Sequence, residues 1–213
     1  MKTSLKRSAG GRPTREEAEL LGERILEVAT ELMLAQGYSE TSIEAIASAA
    51  GVAKRTLYSR FPDKGALFAG VLQRRREIFL APLQKILEVD GTLEERLREI
   101  GNYVLNWAFK ADTVRLRRLI AAEVARFPDL SFAAHTGSRR MLVEMVSEIL
   151  AEEVAAGNLV LVDPNFAALQ FLSMTMMPAD LHTHYNAPLI SGPKRRKHIL
   201  GVVDLFLCGG RPR

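Results

Sequence analysis

Apolar residues recur along almost the whole chain with the helical period of about 3.6 residues. Between residues 15 and 36 one stripe contains Ile25, Val28, Ala29, Leu32 and Met33, spaced i, i+3, i+4, i+7 and i+8. No run alternates between apolar and polar residues as a half-buried strand does, and only residues 159–162 form a short β-branched candidate. The pattern therefore predicts an all-α protein.

Capping residues and helix breakers predict where these helices begin and end. Thr41 and Glu44 have the T-x-x-E spacing of a capping box, which makes Thr41 the expected N-cap of the second helix. Thr92 and Glu95 repeat this spacing, and Asp163 is the expected cap of a later helix. The expected helices span about residues 15–36, 42–50, 53–61, 64–87 with an interruption at Pro82, 93–107, 113–127, 131–156, 164–177 and 193–207.

The second and third helices are joined by only about three residues, beginning with Gly51. Two helices joined so tightly must cross at a steep angle, as in a helix-turn-helix. In the third helix Leu57 and Phe61 are spaced i, i+4 and are expected to face the core. Most of the remaining side chains then face outward and can bind phosphates and base edges: Lys54, Arg55, Thr56, Tyr58, Ser59 and Arg60. The alternative is a solvated basic helix.

Charge is clustered along the chain, although the formal net charge is only +4. Residues 1–15 carry five basic residues and no acid, and residues 53–76 carry seven basic residues against one Asp. Such clusters suit a polyanionic partner. Residues 1–15 are expected to form a flexible basic arm. Its basic residues either add phosphate or minor-groove contacts or do nothing specific: Lys6, Arg7, Arg12 and Arg15.

Other classes of protein are disfavoured by what the sequence lacks. The absence of a signal-peptide pattern and of a long apolar stretch, together with the single Cys208, favours a cytoplasmic protein with no membrane partner. His182 and His184 are spaced i, i+2 with no carboxylate or cysteine at ligand spacing, so no metal site is expected. Neither a nucleophile–base signature nor a phosphate-binding loop is present, so neither an enzyme nor a cofactor is expected.

Residues 24–72 resemble the DNA-binding domain of the TetR/AcrR family of transcriptional regulators. Many spaced positions carry this resemblance: Ile25, Ala29, Gly37, Thr41, Ile43, Ile46, Ala47, Ala50, Gly51, Val52, Thr56, Leu57, Tyr58, Phe61, Lys64, Leu67 and Phe68. The resemblance implies that the exposed side chains between Lys54 and Arg60 meet the major groove, and that Thr41, Ser42 and Lys64 hold the DNA backbone. Ala53 departs from the pattern, because the family often has Ser there and Ala is a poor N-cap.

The resemblance also implies how the chain is organised and what it does. It implies a basic arm at 1–15, a helix-turn-helix DNA-binding domain at 16–64, and a larger helical ligand-binding and dimerisation domain at 65–213. The expected function is that of a homodimeric regulator, most simply a repressor, on pseudo-palindromic operator DNA. A small apolar or aromatic ligand would release it by shifting the fourth helix. The alternative is a helical protein that binds polyanions or a protein partner without recognising a DNA sequence.

Two sets of residues are expected to serve these functions in the second domain. The candidate ligand-binding residues are aromatic residues and methionines, whose alternative is plain core packing: Tyr103, Trp107, Phe109, Phe171, Met174 and Met177. The candidate dimer interface follows the apolar residues of the last two long helices, where the family places it: Phe166, Ile199, Val202, Val203 and Phe206.

Overall fold

A computed structural model describes residues 14–87, 91–123 and 128–210, apart from the side chains of residues 87, 128–138, 209 and 210. This part of the chain forms nine helices and no strand, which confirms the predicted all-α class. The helices are α1 (Arg15–Gln36), α2 (Ile43–Ala50), α3 (Lys54–Tyr58), α4 (Lys64–Leu87), α5 (Leu93–Ala108), α6 (Ala111–Glu123), α7 (Pro128–Ala155), α8 (Pro164–Tyr185) and α9 (Gly192–Gly210). A search of the same residues finds no helix with the length and hydropathy needed to span a bilayer.

The chain divides into two compact units, Met1–Val71 and Leu72–Arg213, with the division inside α4. The first unit has a core to which four helices contribute fully buried side chains: Ile25 and Ala29 from α1, Ile46 from α2, Leu57 from α3 and Leu67 from α4. The second unit has a larger core drawn from α4, α5, α7, α8 and α9. The functional boundaries expected at residues 15 and 64 stay predictions.

Side-chain caps fix the beginnings of three long helices. The predicted capping box of Thr92 and Glu95 is confirmed at α5, and Asp163 caps α8 by accepting from two backbone N–H groups. A further box, which the pattern analysis did not identify, begins α1. There the Thr14 hydroxyl accepts from the Glu17 N–H at 3.1 Å, and the Thr14 N–H donates to the Glu17 carboxylate at 2.9 Å.

The second helix begins one residue later than predicted, and Thr41 is not its N-cap. Ser42 is, since its hydroxyl accepts from the Ala45 N–H at 3.0 Å. The Thr41 hydroxyl is already used, because it donates at 2.7 Å to the carbonyl of Gly37. The methyl group of Thr41 is buried with it, which leaves the next residue to cap the helix.

Pro82 and Pro178 lie inside α4 and α8, although the sequence pattern predicts an interruption at Pro82 and a helix end before Pro178. Pro178 has no N–H, so the carbonyl of Met174 loses its partner inside α8. The imidazole of His198 on α9 replaces that partner, with Nε2 3.0 Å from the Met174 oxygen. A carbonyl oxygen only accepts, so this ring nitrogen carries the hydrogen. Helix α8 continues to Tyr185.

Other predicted boundaries also move. The third helix is shorter than expected and ends at Tyr58, while α9 continues through the glycines that were expected to stop it. Helices α6 and α7 each begin a few residues before the predicted position, and the predicted end of α6 at residues 124–127 lies outside the described residues. Residues 182 and 184 belong to α8 and not to a loop.

Candidate functional site

The connection between α2 and α3 has the tight geometry that the sequence predicts. Gly51 adopts φ +69° and ψ +33°, the left-handed conformation that glycine adopts without steric cost. The Gly51 N–H donates to the Ser48 carbonyl at 3.1 Å, and the Val52 N–H donates to the Ala47 carbonyl at 2.9 Å. These two bonds form a Schellman motif, which ends α2 and allows α3 to begin at Lys54.

One face of α3 is anchored in the core, and the other is open to solvent. Leu57 is fully buried, and Phe61, just after the helix, is half-buried. Arg55 is exposed and Tyr58 keeps 40% of its surface accessible. The remaining predicted contact residues are exposed except for half-buried Thr56: Lys54, Ser59 and Arg60. The arrangement presents cations, hydroxyls and a phenol on one short helix.

The first turn of α3 has an exposed ion pair but no capping side chain. Ala53 provides no side-chain hydrogen bond, as expected from its methyl group. Instead, the ammonium group of Lys54 forms an ion pair with Glu44 on α2 and lies 5.6 Å from the centre of the Tyr58 ring. The hydrogen bond between them lowers the pKa of the exposed Glu44 carboxyl and raises the pKa of Lys54.

The residues expected to hold the DNA backbone differ in their exposure and in their contacts within the protein. Thr41 has 1% of its surface exposed, which corrects the expectation that it contacts DNA. Ser42 is exposed. The ammonium of Lys64 donates to the Ser39 carbonyl at 2.9 Å and lies 4.7 Å from the Tyr38 ring centre, so the protein positions this cation at the end of the α1–α2 loop.

Arg60 lies towards α1. One of its guanidinium nitrogens is 3.1 Å from the position that a Cβ atom would take at Gly22. The basic arm is described only from residue 14 onward, and Lys6, Arg7 and Arg12 lie outside the described residues. Arg15, the last arm residue, is exposed on α1 and pairs with Glu19 at 2.9 Å.

Five of the candidate ligand-binding residues belong to, or pack against, the apolar core of the second unit: Tyr103, Trp107, Phe109, Phe171 and Met174. Tyr103 and Trp107 lie beside Phe79 of α4, with ring centres 5.5 and 5.4 Å from it, and the Tyr103 hydroxyl donates to the Phe79 carbonyl at 2.7 Å. Phe171 is fully buried and packs against Phe206.

The other three candidates differ in exposure. Phe109 is buried beneath the guanidinium of Arg195, whose carbon is 4.6 Å from the ring centre. Met174 is half-buried. Met177 is 49% exposed, so it does not line an interior pocket in the isolated chain. Two cations, Arg75 and Lys110, lie beside Trp107. The apolar pattern does not reveal them, because helical periodicity assigns charged residues to solvent.

The predicted dimer interface is corrected by burial. Ile199, Val202 and Val203 belong to the core of their own unit and offer no surface to a partner. Phe206 is half-buried against that core, and only Phe166 is well exposed. The strongest apolar stripe of α9 thus faces inward. Large apolar side chains on other faces of α8 and α9 are exposed: Phe166, Met177, Leu181, Tyr185, Leu200 and Leu205.

His182 takes part in the end of α8. Its Nδ1 is 2.7 Å from the Ala187 carbonyl, and its ring lies 5.9 Å from that of Phe109. A search of the described residues finds no group of three or more His, Cys, Asp or Glu side chains that could hold a metal ion.

Comparison with known proteins finds matches to regulator families in both units. Residues 25–71 match the family described as bacterial regulatory proteins, tetR family, and residues 95–209 match the C-terminal domain of AefR-like transcriptional repressors. The HTH-type transcriptional regulator RutR of Escherichia coli K12 is 29% identical over 196 residues, which is 89% of this chain and 90% of RutR. AcrR of Shigella flexneri is 28% identical over 92% of this chain and 82% of its own.

Solved structures of transcriptional regulators are also similar to this chain. The flavonoid-responsive regulator FrrA is 32% identical, with a TM-score of 0.77 over 92% of this chain and 99% of its own. A TetR-family regulator from Pectobacterium atrosepticum has the same fold, with a TM-score of 0.68 and 21% identity over 94% of this chain and 99% of its own. These proteins are regulators and not enzymes. The chain, whose short α3 projects a basic face from a helix-turn-helix, therefore belongs to the TetR family of bacterial transcriptional regulators.

Proposed function

We propose that this chain is a homodimeric repressor that binds a pseudo-palindromic operator through α3 and leaves it when a small aromatic ligand binds the second unit. It would act in the cytoplasm, on chromosomal DNA. One observation carries the proposal: Leu57 is buried while Arg55 and Tyr58 on the same helix face solvent. A helix held in this way can enter a major groove without disturbing the core.

The side chains of α3 divide by chemistry. Arg55 can bond two acceptors of one guanine, and Thr56 can contact a thymine methyl group or a base edge. Lys54, Tyr58 and Ser59 suit phosphate oxygens. Ser42 and Lys64 would hold the backbone beside α3. The exposed position of Ser42 and the fixed position of Lys64 support this assignment.

Dimerisation is supported by large apolar side chains that are exposed on α8 and α9. A single short helix contacts only a few base pairs, so a two-fold dimer would be needed for a specific operator. Leu200 and Leu205 are 50% and 66% exposed on α9, and Phe166 is 59% exposed on α8. Apolar groups of this size at a helix surface are typical of protein–protein contacts.

Two comparisons support the ligand class and the direction of control. FrrA, which is similar over 92% of this chain, is described as flavonoid-responsive, and flavonoids are planar aromatic molecules. Phe79, Tyr103 and Trp107 give this chain an aromatic cluster against which such a molecule can stack. The matching C-terminal domain is described for transcriptional repressors, which favours repression.

DNA recognition is tested by selecting bound sequences from a random pool and measuring affinity for the selected site. Arg55→Ala and Tyr58→Ala should each weaken binding to that site by about tenfold or more, because each removes a groove or phosphate contact. Arg140→Ala, which removes an exposed arginine of α7, is the matched control. Unchanged affinity in both α3 variants, or equal affinity for any polyanion, would favour the alternative of a non-specific polyanion-binding protein.

Dimerisation is tested by measuring mass in solution. Leu200→Glu with Leu205→Glu should convert dimers into monomers, since a charge would be buried without a partner. Val162→Glu is the control, because Val162 is exposed in the α7–α8 connection. A dimer that persists in the double variant would contradict this interface.

A further inference from the structure

Arg75 occupies an unusual position for an arginine. Its guanidinium lies over the indole of Trp107, with its carbon 5.3 Å from the ring centre, and one nitrogen donates to the Thr113 hydroxyl at 3.1 Å. Thr113 is buried, and Arg75 itself is half-buried. Burial lowers the pKa of this guanidinium, yet it remains charged at any physiological pH.

This cation has no carboxylate partner among the residues that the structure describes. Asp112 is near enough to act on it electrostatically, but its carboxylate forms an ion pair with Arg115 at 3.1 Å. The hydrogen-bond partner of Arg75 is a neutral hydroxyl. Partial burial of a charge that has no direct ion-pair partner is costly, and an anion that arrives from solution would reduce that cost.

The surroundings of Trp107 strengthen the positive potential. Lys110 also lies against this indole, with its ammonium 4.2 Å from the ring centre. Tyr103, 6.3 Å from Trp107, adds no negative charge, because burial raises the pKa of its phenol. The result is an aromatic surface with two cations beside it.

We propose that Arg75 binds the acidic group of an aromatic effector, whose ring system stacks on the Tyr103–Trp107 surface, and that Lys110 adds long-range attraction. The inference deepens the proposed function and rests on it for the statement that this ligand is the effector. It narrows the sequence-based expectation of an apolar or aromatic ligand to an aromatic ligand that carries an acidic group. In the sequence, Arg75 stands in the run Arg74–Arg76, which looks like an ordinary solvated stretch.

The test compares two probes that differ in charge but hardly in shape, 3-phenylpropanoate and 3-phenylpropanamide. Trp107 is the only tryptophan of the chain, so its emission reports binding beside Arg75 directly. Excitation at the red edge of indole absorption avoids the phenyl probes. We expect the carboxylate to bind about tenfold more tightly than the amide, as for a charge-assisted hydrogen bond.

Substitutions test whether Arg75 causes the preference for the carboxylate over the amide. Arg75→Gln should abolish it, and Lys110→Gln should reduce it about two- to threefold, because a more distant charge is partly screened. Arg76→Gln, a neighbouring substitution of the same type, should leave it unchanged. Because Lys110 is exposed, its variant tests the idea even if Arg75→Gln fails to fold. Equal affinity for the two probes, absence of binding by either, or a preference that survives Arg75→Gln in a folded protein would overturn the inference.

This result is separable from the proposed function. Operator binding by the wild-type protein without carboxylate preference would leave the repressor proposal intact and remove the acidic effector. If the protein binds the carboxylate probe but selects no DNA sequence from the random pool, the acidic-ligand site stands and the repressor proposal fails. If both hold, addition of the carboxylate should weaken operator binding more than addition of the amide.

Discussion

The carboxylate of Glu44 on α2 forms an ion pair with the ammonium of Lys54, the first residue of α3. Both side chains are exposed, so the pair lies on the face that we assign to DNA. A carboxylate at this place both steadies the uncapped helix and repels phosphates. Lys54 is therefore shared between Glu44 within the fold and the phosphates of the proposed DNA partner.

Glu44→Gln should increase affinity for non-specific DNA by about two- to fivefold at low salt, because one negative charge near the phosphates is lost and Lys54 is released. The gain should shrink as salt rises. Fluorescence anisotropy with a random duplex measures it. Glu144→Gln makes the same change of net charge on α7 and is the control. An equal gain in both variants would mean that only net charge matters.

Ala53→Ser should stabilise α3 by about 1 kcal/mol, because a serine hydroxyl at an extended N-cap can accept an N–H bond that alanine cannot. Hydrogen exchange of the amides of residues 54–58 would then slow by about fivefold if they exchange by local opening. Ala53→Val, which adds no hydroxyl and is an equally poor N-cap, should give no such protection. If serine gives no additional protection, the Glu44 pair already compensates for the missing cap.

Gly51→Ala should destabilise the first unit by about 1–2 kcal/mol, since a Cβ atom disfavours the left-handed conformation at this turn. Thermal unfolding followed by circular dichroism measures the loss. Ser48→Ala, on the same helix and exposed, should change stability by less than about 0.5 kcal/mol. Similar stability of the Gly51 and Ser48 variants would contradict the role of the turn.

His198→Ala should destabilise the second unit by about 1–3 kcal/mol, because the Met174 carbonyl would be left without a partner. Pro178→Ala restores an N–H that can bond this carbonyl within α8, so His198→Ala should cost less in that background. Urea unfolding followed by Trp107 emission gives both values. Additive effects of the two substitutions would show that the imidazole does not replace the missing helical bond.

Features set by neighbouring residues could be predicted from the sequence. The all-α class follows from one apolar period. The α2–α3 turn follows from Gly51, and the inward direction of Leu57 from its spacing to Phe61. These features depend on a few residues at short separation, so a pattern is enough to identify them.

Features set by distant residues could not be predicted. Helix α8 continues past Pro178, where His198 on the next helix satisfies the carbonyl that the proline leaves without a partner. The apolar stripe of Ile199 and Val202 did not say whether it faces the core or a partner. Arg75 looked solvated until the fold brought it to Trp107. In each case the outcome depends on contacts between residues that are far apart in the sequence.

The shortness of α3 has a consequence for the operator itself. Five residues of helix extend about 7.5 Å, which spans only about two base-pair steps of a duplex. We therefore expect part of the sequence preference to come from base pairs that no side chain touches, through groove width and the ease of bending. Selected sites should then show conserved A·T-rich or flexible steps between and beside the half-sites. Exchanging those steps should weaken binding without removing a single hydrogen bond to a base.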